Sequence, residues 1–130
     1  MGRRPAGALI IAARVPAPTG RRSWFERLTV RGGAEYSLAS VAVSVDVGAD
    51  GAVSEARVAV GAVQERPTRV AAAEAALVGR RLDRDASEEA GRAAAHALTG
   101  RDGLDAPGWY RLEVLPALLA RAVVRVEGAA

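Results

Sequence analysis

The stretch GAVQERPTRVAAAEAALVGRRL, residues 61–82, decides the fold. An apolar run of period two ends at Gly61, Arg66-Pro67-Thr68-Arg69 turns the chain, and Val70, Glu74, Leu77 and Val78 lie in an Ala-rich helical segment that stops at Gly79. A strand delivers the chain into a helix, and the other elements have to pack on that corner. The spacing predicts a helix from Thr68 to Val78. Pro67 suits its first turn, because that amide has no intrahelical partner. Gly79 suits the position just past its end, where a left-handed backbone closes a helix.

Upstream of the corner, Leu38–Val47 alternates. Val41, Val43, Val45 and Val47 point one way, while Ala42, Ser44 and Asp46 point the other, the pattern of a strand with one buried face. Gly48-Ala49-Asp50-Gly51 is a turn signal, and a partner strand follows from Val53 to about Val63, with Val58 and Val60 on one face. The two make an antiparallel hairpin. Ser23–Val30 reads as a further strand, with Phe25 and Arg27 on one face and Trp24, Glu26 and Leu28 on the other. Ala8–Val15, bounded by Gly7 and Pro16, reads as a buried strand.

Downstream, a second helix is predicted over Ala86–Leu98, with Asp85 and Glu88 spaced as a capping box. Ala86, Ala90, Ala93, Ala94 and Ala97 give it a smooth face, and Gly100 and Gly103 follow its end. A third helical segment runs from Pro107 to Val126 on a stripe of Leu112, Leu115, Leu119, Ala122 and Val126. Pro116 removes a bond to the Leu112 carbonyl and should kink or split it. Strands come first and helices after. The expected class is α+β: one domain, an antiparallel sheet of three to four strands packed on three α-helices, with residues 1–7 and 127–130 frayed.

Composition narrows the function classes. Half the residues are hydrophobic, but Ala and Val dominate and aromatics are 4%. The core should therefore be built of small side chains, with Trp24, Phe25, Trp109 and Tyr110 as its few large pieces. Formal charge is +3 and every cation is Arg. These arginines are dispersed rather than clustered with aromatics, which argues against nucleic-acid binding. There is no Cys, so disulfides and thiolate ligands are excluded. No apolar run approaches the ~18 residues of a membrane span. The ALIIAA run is short for a secretory signal and Arg14 soon follows, so a cytoplasmic location is expected.

Catalytic motifs are missing. His96 is the only histidine and has no second His or Cys to complete a zinc set. No nucleophile elbow occurs. Neither glycine-rich nucleotide motif occurs, and Gly32-Gly33 is too short to cradle a pyrophosphate. Asp46, opposite the Val stripe, is expected to be solvated. Glu35 is a strand-entry residue that can pair with Arg31. Residue chemistry alone ends at a soluble α+β domain.

Several segments together go further. They are Leu9–Pro18 (LIIAARVPAP), Ser23–Arg31 (SWFERLTVR), Glu35–Val43 (EYSLASVAV), Asp50–Gly61, Arg66-Pro67-Thr68-Arg69 with Glu74, Ala75, Leu77 and Gly79, and Asp105–Arg111, with Arg121-Ala122 beyond. In this order they resemble the C-terminal domain of the FAD-binding medium subunit of molybdenum hydroxylases, the carbon monoxide dehydrogenase and xanthine dehydrogenase family. The resemblance implies a small antiparallel sheet with a three-helix layer. It implies a role in closing a flavin site and in subunit contacts, while electrons pass from iron–sulfur clusters through FAD. The implied partners are a separately supplied FAD-binding domain and the iron–sulfur and molybdenum subunits, with no nucleic acid and no membrane. FAD would be held mainly by the preceding domain, so activity of this chain alone is not expected.

Residue by residue, Arg27 matches a position where the family often has Lys, and Arg31 and Glu35 match an Arg and an acid. These three are the candidate cofactor-binding residues. Tyr110 and Arg111 match the family's Tyr-Arg pair and are expected to anchor the third helix. Pro116 departs from the family pattern. The alternative reading is a repurposed, non-catalytic interaction module that uses the exposed sheet face or a strand edge.

Overall fold

A computed structural model describes residues 6–15, 20–31 and 36–128. Its centre is the predicted hairpin. The alternating valines form β2 (Ala39–Val47), and Val53–Gly61 forms β3. The two pair antiparallel with Val41 opposite Val60 and Val43 opposite Val58. The turn is closed by the Gly48 amide bonding the Ala52 carbonyl at 2.8 Å. β1 (Arg22–Leu28) flanks β2 antiparallel. On the other side Thr68–Arg69 forms a two-residue β4 against Ala59–Val60. The sheet order is β1-β2-β3-β4.

Four helices follow among the described residues. α1 spans Ala71–Leu77, α2 Arg84–Ala97, α3 Gly108–Glu113 and α4 Leu115–Glu127. The last two are the single predicted helix split at Val114, and Pro116 lies in the first turn of α4, where a missing amide costs nothing. The fold class therefore stands, with four strands and the third helix in two pieces. Buried Val41, Val43, Val45, Val58 and Val60 form one core with Leu77, Ala90, Ala94, Leu115, Leu119 and Val126 from the helices.

The corner differs from its prediction in one respect. Thr68–Arg69 is extended, so α1 begins at Ala71. The cause is visible in the partners that the outer edge of β3 takes up. β4 takes Ala59 and Val60, the Val70 amide bonds the Val58 carbonyl at 2.9 Å, and Gly79 and Arg80 pair with Val53 at 2.8 and 2.9 Å. A further donor of that edge, the Val58 amide, is met by the Glu74 carboxylate at 3.0 Å. Gly79 sits at φ +79°, the left-handed turn that returns the chain to that edge.

Glu74 also accepts both arms of the Arg69 guanidinium, at 2.6 and 3.0 Å. Burial pushes its pKa up, but the Arg69 guanidinium and the Val58 amide outweigh this and hold it below the usual 4.5. A depressed folded-state pKa means the contribution is complete above the unfolded pKa and fades as pH falls through the folded value. Arg69 is largely exposed, so the ion pair itself is screened. Glu74→Gln is expected to cost about 1–2 kcal/mol near neutral pH. In urea melts, that difference should shrink as pH falls below 4.5. A deficit unchanged by pH would remove the carboxylate from this role.

Four further expectations are corrected. Ala8–Val15 is not a buried strand: it has no regular structure, and Leu9, Ile10, Ile11 and Val15 are each at least 69% exposed. The sheet uses β1 to β4 and pairs no strand with this segment. The cap of α2 is Asp83 rather than Asp85, because its Oδ1 reaches the Ala86 amide at 2.7 Å, starting the helix two residues earlier. Glu88 turns instead to Arg84 at 2.7 Å. The four aromatics expected in the core, Trp24, Phe25, Trp109 and Tyr110, are all exposed. Val and Leu stripes packed on Ala faces already fill the space between sheet and helices. Asp46 is not simply solvated: it is half-buried and ion-paired to Arg21, which also bonds Glu55 at 2.7 Å.

Candidate functional site on the free face of the sheet

Paired residues of an antiparallel sheet share a face. Because Val41, Val43 and Val45 point to the helices, Ser40, Ala42, Ser44 and Asp46 face the other way. The register then builds rows on that free face. One row crosses all four strands: Phe25, Ala42, Ala59 and Arg69. Two alanines between a phenylalanine and an arginine leave a shallow apolar depression of about 440 Å³. Beside it Ser23 and Ser44 join hydroxyls at 2.8 Å, with Arg57 completing that row. Beyond lies the acidic pair Asp46 and Glu55, held together by Arg21. The Arg21 and Arg57 guanidiniums keep the Glu55 carboxyl below its ordinary range.

The row on the other side is Arg27, Ser40 and Gly61. It leads to a hollow of about 520 Å³ lined by Tyr36, Ser40, Ala62, Gln64 and Arg101. Tyr36 and Arg101 also line an adjoining hollow of about 350 Å³ with Val30, Arg31 and Asp105. Tyr36 is 95% exposed. Here the chain presents a phenol ring, two arginines and an amide side chain at one end of the sheet.

Arg27 is thus exposed on the free face and paired across to Ser40, and Arg31 lines the hollow at Tyr36. Glu35 lies outside the described residues. The sequence reading did not single out Tyr36, Arg101, Ala42 or Ala59. Tyr36 adjoins Glu35 in a quoted segment, and the alternation of β2 had already turned Ala42 away from the valines. Arg101 carried no local signal, since its place depends on the Arg101 amide bonding the Val63 carbonyl at 2.8 Å, a contact remote in sequence.

Arg111, expected as an anchor for the last helix, is completely buried. Its guanidinium donates to the Leu38 carbonyl at 2.6 Å, the Ala62 carbonyl at 3.3 Å and the Asp105 carboxylate at 3.2 Å. The Asp105 pKa lies below its ordinary value, held there by its own backbone amide and by Arg111. His96 is exposed on α2. Among the described residues no group of three His, Asp or Glu could hold a metal ion, and no helix is long and apolar enough to cross a membrane.

This architecture has relatives. Quinoline 2-oxidoreductase from Pseudomonas putida superposes with a TM-score of 0.79 at 28% identity, over 88% of this chain and 40% of that one. Carbon monoxide dehydrogenase from Oligotropha carboxidovorans gives 0.78 at 29% identity, over 89% of this chain and 40% of that one. The glyceraldehyde dehydrogenase medium chain of Sulfolobus acidocaldarius is 25% identical over 120 residues, covering 92% of this chain and 42% of the relative. The chain thus spans about two fifths of the length of the relatives it matches. Residues 25–126 match the model of the CO dehydrogenase flavoprotein C-terminal domain, and the chain belongs to that family.

Proposed function

We propose that this chain closes one side of an FAD site in a molybdenum hydroxylase, with the phosphates of FAD held by a separate domain. The reading rests on one observation beyond family membership: the free face of the sheet is open, and it ends in cations around an exposed ring. A flat row of Phe25, Ala42 and Ala59 suits the plane of a ring system. Guanidinium donors on Arg27, Arg31 and Arg101 suit the carbonyl edge of such a ring, and their charge favours an anionic form of it. The residues present therefore fit a flavin. Glu35, next to Tyr36 in sequence, is the proposed acidic member of the set.

FAD, when bound, would carry electrons between a one-electron and a two-electron partner. The chain's own work is to orient the ring, cover it from water and place positive charge beside it. The donors of those electrons would be the iron–sulfur and molybdenum subunits of a cytoplasmic complex. Family membership favours this reading over an interaction module. The check is visible flavin absorbance of the purified chain, alone and after co-expression with an FAD-binding domain of a family relative. Colour retained only in the co-expressed complex is expected. A chain that never co-purifies with such a domain would overturn the proposal.

A further inference from the structure

We infer that Arg111 is a positioning residue for the mouth at Tyr36 and Arg101. The inference rests on the reading that this mouth faces the flavin. The three groups on its guanidinium belong to three different segments. Leu38 follows Tyr36-Ser37, Ala62 lies just past the end of β3, and Asp105 stands in the loop before α3. Each segment also lines one of the two hollows: Ser37 and Ala62 the first, Asp105 the second, and Tyr36 both. One buried cation thus ties together the walls of the mouth.

Two details separate this from ordinary packing. Ala62 has φ +65°, a left-handed conformation that side chains other than glycine rarely adopt. Its carbonyl is held from two directions, by Arg111 and by Arg101 Nε at 3.0 Å. Such a backbone state persists where surrounding contacts over-determine it. Further, Arg111 Nε is buried with no hydrogen-bond partner among the described residues. Burying a guanidinium with one donor unmet is costly for a residue that serves only to fill space. Nη1 serves the two carbonyls while Nη2 serves the Asp105 carboxylate, a division between two nitrogens that the single ammonium of Lys cannot reproduce.

The test is site-resolved amide exchange on the full chain, wild type against Arg111→Lys and Asp105→Asn. Three amides report the three walls: Leu38, bonded to the Leu28 carbonyl, Arg101, bonded to the Val63 carbonyl, and Gly103, bonded to the Ala106 carbonyl. In Arg111→Lys the Leu38 and Arg101 amides should exchange at least about tenfold faster while the β2–β3 ladder is unchanged. In Asp105→Asn only Gly103 should speed up. Uniform acceleration, or none, would overturn the inference. If Arg111→Lys does not fold, Asp105→Asn decides: a Gly103 effect without one at Val43 or Val58 supports the clamp, and the reverse overturns it. A second readout is retention of FAD by the co-expressed complex, which Arg111→Lys should lower with the chain still folded. Full retention contradicts the inference. If the wild-type complex itself takes up no flavin, the functional reading falls, and exchange still judges the clamp.

Discussion

Gly91→Ala is expected to lower the melting temperature by roughly 5–10 °C, against the usual direction of such a change. In an exposed helix, alanine for glycine gains about 1 kcal/mol. Gly91, however, lies buried in α2 where that helix crosses α4. A Cβ there would stand 2.3 Å from Pro116 Cα and 3.0 Å from the Leu115 carbonyl oxygen. These are backbone atoms and cannot swing aside. Overpacking of this kind costs typically about 1–3 kcal/mol, and here it must also displace the first turn of α4. The net loss should be about 2–3 kcal/mol. Gly79→Ala, where a Cβ meets nothing within 4 Å, would show backbone strain alone. A stabilised Gly91→Ala protein would mean that α2 and α4 do not meet at this point.

Leu119→Ala should cost about 2–5 kcal/mol. Leu119 is 1% exposed and belongs to the core cluster with Val123 and the valines of the sheet. Removing most of its side chain loses the transfer energy of those carbons and leaves a cavity that the Ala-rich neighbours are too small to fill. The effect should appear as a lower denaturant midpoint with an unchanged slope. Leu104→Ala is the matched control: its side chain is fully exposed, so its effect should lie within about 0.5 kcal/mol. Equal losses at the two positions would contradict the placement of α4 on the sheet.

What was legible in the sequence followed from period and punctuation. The valines of β2, the turn at Gly48–Gly51 and the stop at Gly79 each carry a local cause, and each stands where expected. Pro116 gave the split of the last helix for the same reason. Errors came where a partner remote in sequence decided the outcome. Thr68–Arg69 is extended because β3 offered an open edge, and Asp46 is paired because Arg21 lies across the strand. Ala8–Val15 has the composition of a buried strand, but burial needs a surface, and no strand of this sheet pairs with it. The aromatics misled through size, since few large residues in a small-residue chain suggested core pieces. The candidate site was half legible. Strand alternation put Arg27 on one face with Phe25 without saying that this face is the free one, whereas Tyr36 and Arg101 meet only through the tertiary fold.

The central claim concerns a face, so it is best tested by a footprint. Amide exchange would be compared for the chain alone and in a complex with an FAD-loaded domain from a family relative. Protection is predicted at Phe25–Leu28, Tyr36–Ser40 and Gln64, with the outer surfaces of α2 and α4 unchanged. Protection confined to those helices, with the sheet face still exchanging freely, would contradict the account.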